Sequence, residues 1–116
     1  VFNELLLNGD VFQSSATDNA TATVTRAAVG GVRHFVGGLA ADYSAAVSAI
    51  KTVTLTRVVA GSTVTLVYRW DFAKGPFLHN LPLVVHGDQN TAVSVALEAS
   101  GTGGITGRAT IFLADV

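Results

Sequence analysis

Between Ile50 and Asp71 two alternating runs meet at a short glycine-containing turn, and no other stretch restricts the fold of this chain as strongly. Lys51 to Val59 sets Val53 and Leu55 on one face and Thr52, Thr54 and Thr56 on the other. Thr63 to Trp70 alternates Val64, Leu66, Tyr68 and Trp70 with Thr65 and Arg69, with Asp71 continuing the polar side. A period of two is that of a strand with one side buried. Ala60-Gly61-Ser62 between the runs reads as a hairpin turn. The Thr-rich side, with Lys51, Arg57 and Arg69, is the most regular polar surface in the sequence and a candidate contact face. Val53, Leu55, Val64, Leu66, Tyr68 and Trp70 are expected in the core. The chain is therefore expected to be an all-β domain.

The flanking sequence repeats the theme. Ala20 to Val29 and Val32 to Val36 are expected to pair as a second hairpin across Gly30-Gly31. Gly37-Gly38 inside the next strand signals a bulge or a close backbone approach before Leu39 to Tyr43. Ser44 to Ala49 reads as a connection, and Lys74-Gly75-Pro76 as a turn. Phe77 to Leu81 and Leu83 to His86 flank Pro82, whose missing N–H confines the segment to a sheet edge or to two short strands. After a turn at Gly87 to Asn90, Ala92 to Ala99 is a strand with Val93, Val95 and Leu97 inward. A glycine-rich loop over Ser100 to Gly107 leads into a last strand, Arg108 to Ala114, with Ala109, Ile111 and Leu113 on one side. The total is about eight antiparallel strands at the spacing of a β-sandwich or jelly roll.

The 116 residues suffice for one domain. Residues 1–19 are expected to form an N-terminal arm and linker, and residues 20–116 the β-sandwich. Asn8-Gly9 between Leu7 and Val11 suits a tight hairpin turn, and an extended arm is the equal alternative. A free arm exposes Leu5, Leu6, Leu7 and Phe12, a cost that docking on a neighbouring subunit removes. Charged residues make up only 13% of the chain and the net charge is -1, so no global field favours nucleic acid or an anionic membrane. Low charge favours association. Absence of cysteine excludes disulfides, thiolate metal ligands and cysteine nucleophiles. No membrane-spanning run or export signal is apparent, and a soluble protein is expected.

Residue chemistry assigns no catalytic residue, metal ligand or cofactor site, and no enzyme is expected. His86-Gly87-Asp88 has the spacing that opens a two-His, one-carboxylate metal site, but no His follows it; His34 and His79 lie upstream. A jelly-roll metalloenzyme is thus the weakest alternative, against the ordinary reading that His86 ends a strand and Asp88 bonds its own turn. The Gly101 to Gly107 loop lacks the glycine a dinucleotide loop needs at Thr106 and the Gly-Lys pair of a Walker loop. Tyr68, Trp70, Phe72 and Phe77, with Arg69, Asp71 and Asn80 nearby, suit a sugar-binding face. Tyr68 and Trp70 nevertheless share the apolar strand face, which favours a core position.

Two segments carry a likeness to known proteins. The run from Ala22-Thr23-Val24-Thr25-Arg26 through Arg33-His34-Phe35 and Gly37-Gly38 to Ser44, and the run Asn90-Thr91-Ala92-Val93-Ser94-Val95-Ala96-Leu97-Glu98-Ala99-Ser100-Gly101-Thr102-Gly103-Gly104 with a final short strand, resemble the opening hairpin and the closing strand and glycine loop of small all-β structural proteins of tailed bacteriophages. The likeness covers about three quarters of the chain, from residue 20 onward. It implies a virion structural role, most like that of capsid decoration (cement) proteins, with the major capsid protein as partner. It also implies a homo-oligomer, trimer or dimer, located on the capsid surface after synthesis in the host cytoplasm, with no nucleic-acid or membrane partner. The Ile50 to Asp71 hairpin is longer and richer in Thr than that pattern, and the arm lies outside it. A tail- or spike-associated carbohydrate- or receptor-binding module is the main alternative.

Overall fold

The computed structural model describes residues 10–116, in which nine strands and one short 3-10 turn follow in order. They are β1 (Asp10–Gln13), β2 (Thr17–Asp18), β3 (Ala22–Arg26), β4 (His34–Tyr43), β5 (Ile50–Val59), β6 (Ser62–Asp71), the 3-10 turn Phe72–Lys74, β7 (Phe77–His86), β8 (Val93–Leu97) and β9 (Thr106–Asp115). All pairings are antiparallel. One sheet has the order β1-β9-β4-β7, with β2 also on β9, and the other has the order β3-β8-β5-β6.

These pairings are nested around the Ile50 to Asp71 hairpin. β5 pairs β6, β4 pairs β7, β3 pairs β8 and β1 pairs β9, so the chain is one long antiparallel ribbon whose tip is the hairpin. Successive pairs fall in opposite sheets, and the additional pairings β4 with β9 and β5 with β8 close each sheet. Eight principal strands arranged in this way are a jelly roll. The tip is tighter than the sequence suggested. Val59 pairs Ser62, leaving only Ala60 and Gly61 in the turn, at φ 51° and 80°. Positive φ at both central residues matches the right-handed twist of the flanking strands.

Alternation fills the space between the sheets. Val53, Leu55, Val93, Val95, Leu97, Leu39, Ile111 and Leu113 are buried, while on the edge strand β6 Val64, Leu66, Tyr68 and Trp70 are half-buried and the last three lean on the same core. Fully burying one such aliphatic side chain stabilises the fold by about 1.5–3 kcal/mol. Parity separates the residues the sequence had grouped on the polar face. Arg69 lies opposite Thr52 on the outer side, but Lys51 and Arg57 have the parity of Val53 and Leu55 and sit at the two ends of the sandwich. There the Lys51 Nζ lies 3.5 Å from a Glu98 carboxylate oxygen, and Arg57 donates to the His86 carbonyl at 3.4 Å.

Two local expectations are corrected. Ala20 to Val29 does not form a hairpin with Val32 to Val36, because β3 pairs β8 in one sheet while β4 crosses into the other. The segment between them bends at Gly31, φ 74°. Residues 10–18, expected within an arm and linker, lie along β9: Phe12 faces Ile111 across the ladder and Thr17 faces Gly107. Leu5, Leu6 and Leu7 lie outside the described residues.

The double glycine produces both features anticipated. Val36 faces Leu113 but Gly38 faces Phe112, a one-residue bulge in β4. On the other side Val36 faces Val85 and Gly38 faces Asn80, so a step of two along β4 matches a step of five along β7. β7 is an edge strand, the position a strand containing Pro82 requires. A Cβ on Gly38 would lie 3.1 Å from the His79 carbonyl oxygen, which explains the absence of a side chain there.

Candidate functional site

The outward face of the β1-β9-β4-β7 sheet carries an open concavity. Two cross-strand rows define it: Val11, Phe112, Gly38 and Asn80, then Gln13, Thr110, Ala40 and Leu78. Small residues on β4 between larger ones on β9 and β7 leave a trough of about 370 Å³. Its apolar walls are unusual for an outward face. Val11 is 56% exposed and Leu78 64%.

Polar groups gather at one end of the trough. Asp42 and Arg108 are directly paired across β4 and β9, Arg108 donates to the Gln13 side-chain oxygen at 3.4 Å, and the Gln13 amide donates to Thr110 Oγ1 at 3.3 Å. Asp42 also lines two smaller neighbouring clefts, one with Gln13, Ser44 and Thr106, the other with Val47, Phe72 and Pro76. An amide, a hydroxyl, a guanidinium and a carboxylate beside apolar walls are equipped to hold a surface. These residues escaped the sequence reading, although Leu78 and Phe112 signalled them. Both are large apolar side chains at outward positions of strands whose inward faces were already filled.

Elsewhere the residues singled out for chemistry are occupied by the fold itself. His34 is buried, with Nδ1 2.6 Å from Asp115 Oδ1 and Nε2 2.9 Å from the Ala27 carbonyl oxygen. Asp115 also binds Arg26. Burial pushes the Asp115 carboxyl upward, but hydrogen bonds from Arg26 and His34 outweigh it and hold the group below the ordinary carboxylate range. The cluster pins the end of β9 to β3 and β4.

His86 turns its Nδ1 toward the Gly87 carbonyl, and His79 packs against Tyr68 with ring centroids 4.9 Å apart. The Asp88 backbone carbonyl accepts from Thr91 Oγ1 within its own turn, but its carboxylate does not serve that turn. Its carboxylate accepts from Ala60 and Gly61 at the tip of the β5–β6 hairpin, and those backbone donors lower its pKa. The three histidines are thus engaged separately, and among the described residues no group of three or more His, Asp or Glu side chains converges as a metal site.

The glycine loop is likewise self-satisfied. Gly101 donates to the Asn19 side chain at 2.9 Å and Gly104 to the Asp18 carboxylate at 2.8 Å, so acceptors from the β2 segment take N–H groups that a phosphate would need. Trp70 is half-buried, donates its indole N–H to the Gly75 carbonyl at 2.9 Å, and contacts Phe77 with ring centroids 5.9 Å apart. Tyr68, Phe77 and His79 complete an aromatic seam between β6 and β7. This seam joins the two sheets.

Among the expected contact residues, Phe12 lies on β1 with its ring packed on the core and the Arg26 guanidinium 4.9 Å above it. It is part of the sandwich wall. Compared with known proteins, the chain matches no protein-family model and no curated sequence.

Proposed function

We propose that this chain is a virion structural protein, a capsid decoration (cement) protein that binds the major capsid protein on the outer shell and reinforces it. The outward trough of the β1-β9-β4-β7 sheet carries the reading. Val11 and Leu78 wall a preformed apolar groove with Asp42, Arg108 and Gln13 at its end, the composition of a contact patch with a polar rim. The leucine-bearing segment is joined directly to β1, the strand that forms one wall. Contact through the trough and through Leu5, Leu6 and Leu7 adds interface area across a joint between capsomers, and ligation of the assembled state stabilises it by mass action. Jelly rolls also build viral shell and lectin domains, which is support by analogy of fold.

The test is binding of the purified protein to expanded shells of a tailed phage whose genome encodes it. Saturable binding that raises the shell's melting temperature, and that weakens at least tenfold in Leu78→Asp, is expected. Shells that bind nothing, together with retention of the protein by immobilised glycans, would overturn this function in favour of a carbohydrate-binding module.

A further inference from the structure

Among the described residues, β6 offers the longest uninterrupted edge that the two sheets leave open, since β1 spans only four residues. β7 is interrupted by the register jump around Pro82 and β3 is only five residues long, whereas β6 runs ten residues with no proline and no bulge. Natural sheets blunt such edges with lysines, prolines or bulges. Here the edge carries only Arg69 and Asp71 as charges, and Val67 stands 59% exposed beside it.

The hairpin turn decides which backbone groups are free. In a two-residue hairpin the closing pair, Val59 with Ser62, exchanges both hydrogen bonds, and bonded pairs then recur at every second residue. Val64, Leu66, Tyr68 and Trp70 therefore spend their N–H and C=O groups on β5. Thr63, Thr65, Val67, Arg69 and Asp71 direct theirs to the open edge.

We infer that this edge pairs with β6 of a second copy, antiparallel about a two-fold axis through Val67, joining two four-stranded sheets into one of eight. The register follows from the sequence. Residues directly opposite in an antiparallel pair point to the same face, so free residues must meet free residues. Val67 against Val67 is the two-fold register that uses the whole run. It sets Thr65 against Arg69 and Thr63 against Asp71 on the outer face, and Leu66 against Tyr68 and Val64 against Trp70 on the inner. No like charges meet, and all five free donors and acceptors of each copy are satisfied. Centring the axis on Arg69 instead would oppose two guanidinium groups and shorten the overlap. The inference deepens the homo-oligomer expected of a decoration protein by naming its surface. It is tested on the isolated protein without shells, so its failure and failure of shell binding are separate results.

A chain without cysteine makes the register directly readable. In a hydrogen-bonded antiparallel pair the Cα atoms lie about 5.5 Å apart, within the range a disulfide spans. Val67→Cys is expected to oxidise to a covalent dimer at least tenfold faster than Thr63→Cys, an exposed site on the same edge that faces Asp71 rather than itself. Thr65→Pro, which removes an edge N–H not needed by β5, is expected to sediment as a monomer where the unmodified protein sediments as a dimer. Equal oxidation of the two cysteine variants, or a monomeric unmodified protein at millimolar concentration, would overturn the inference, and the cysteine comparison stands even if the proline variant does not fold.

Discussion

The Asp88 carboxylate accepts the Gly61 backbone N–H at 2.9 Å, so a residue in the loop after β7 holds the turn at the far end of the β5–β6 hairpin. The neighbouring N–H of Ala60 is held by the other oxygen. One side chain thereby ties the tip of the ribbon to the loop where the chain leaves β7.

This bond gives the hairpin an acid-sensitive clasp. Backbone donation by Gly61 and Ala60 lowers the Asp88 pKa from its ordinary value of 3.8. A carboxyl group with a lowered folded value contributes stability that is fully present above its unfolded value and is lost as pH falls through the folded one. Urea unfolding of the unmodified protein and of Asp88→Asn, followed from about pH 6 to about pH 2, should show the gap between them closing at the acid end. The variant should also exchange the Ala60 and Gly61 amides faster at neutral pH. A constant gap across that window would show that the carboxylate charge contributes nothing.

An opposite, alkaline response is expected from Tyr43. Burial, followed by the nearby Glu98 charge, pushes its phenol up to about 12, and its hydroxyl donates to the Glu98 carbonyl at 2.6 Å. The unfolded chain loses this proton first, at the ordinary value of 10.0, so stability should fall as pH rises from there toward the folded value. Ultraviolet titration of Tyr68→Phe, which leaves Tyr43 as the only tyrosine, should show phenolate appearing late. Tyr43→Phe should flatten the alkaline loss of stability.

The core and the outer face of the same sheet should differ sharply in their tolerance. Leu55 is fully buried at the centre of β5, and Leu55→Ala is expected to cost about 2–5 kcal/mol in chemical denaturation. Thr23→Ala, on the exposed side of β3, should stay within about 0.5 kcal/mol. Trp70→Phe should lose about 1 kcal/mol through the missing bond to Gly75 while retaining most of the aromatic packing.

Gly38 is the sensitive point of the trough. An added Cβ would meet the His79 carbonyl oxygen at 3.1 Å and the Asn80 and Phe112 side chains at 3.4 Å. Gly38→Ala is expected to destabilise by about 1–3 kcal/mol, the usual range for overpacking, and to weaken shell binding. Thermal melting and shell sedimentation of the same preparation check both effects.

Much of this architecture is written locally, and the misreadings share one cause. Alternation along β5, β6, β8 and β9 names the inward residues because a strand's two faces differ by one position, whatever its partners. The Val36–Gly38 bulge and the edge placement of Pro82 follow from backbone chemistry that needs no partner either. Partner choice is another matter. Gly30-Gly31 resembles a hairpin turn, yet β3 and β4 part into different sheets, since in a rolled ribbon only the tip pairs with its sequence neighbour. Phe12 looked like part of a loose arm because its run is short, and the ladder that holds it is supplied by Ile111, almost the whole chain away. Asp88 was expected to serve its own turn for the same reason. The trough was hidden because its walls come from four strands, each contributing one or two outward residues.

The nested pairing carries a consequence for biogenesis. Among the described strands only the β5–β6 hairpin closes a short loop, and each pair outside it must bridge a longer separation until β1 meets β9. Closing the pairs from the tip outward lets each step begin from ends already brought near one another, whereas starting at the outer pair would pay the largest loop entropy first. Because β9 is the partner of β1, β2 and β4, a nascent chain leaves β1 and β2 without this partner, and β4 with β7 alone, until β9 has left the ribosome. Closure of the β1-β9-β4-β7 sheet therefore waits on β9, whichever of the other pairs has formed before it.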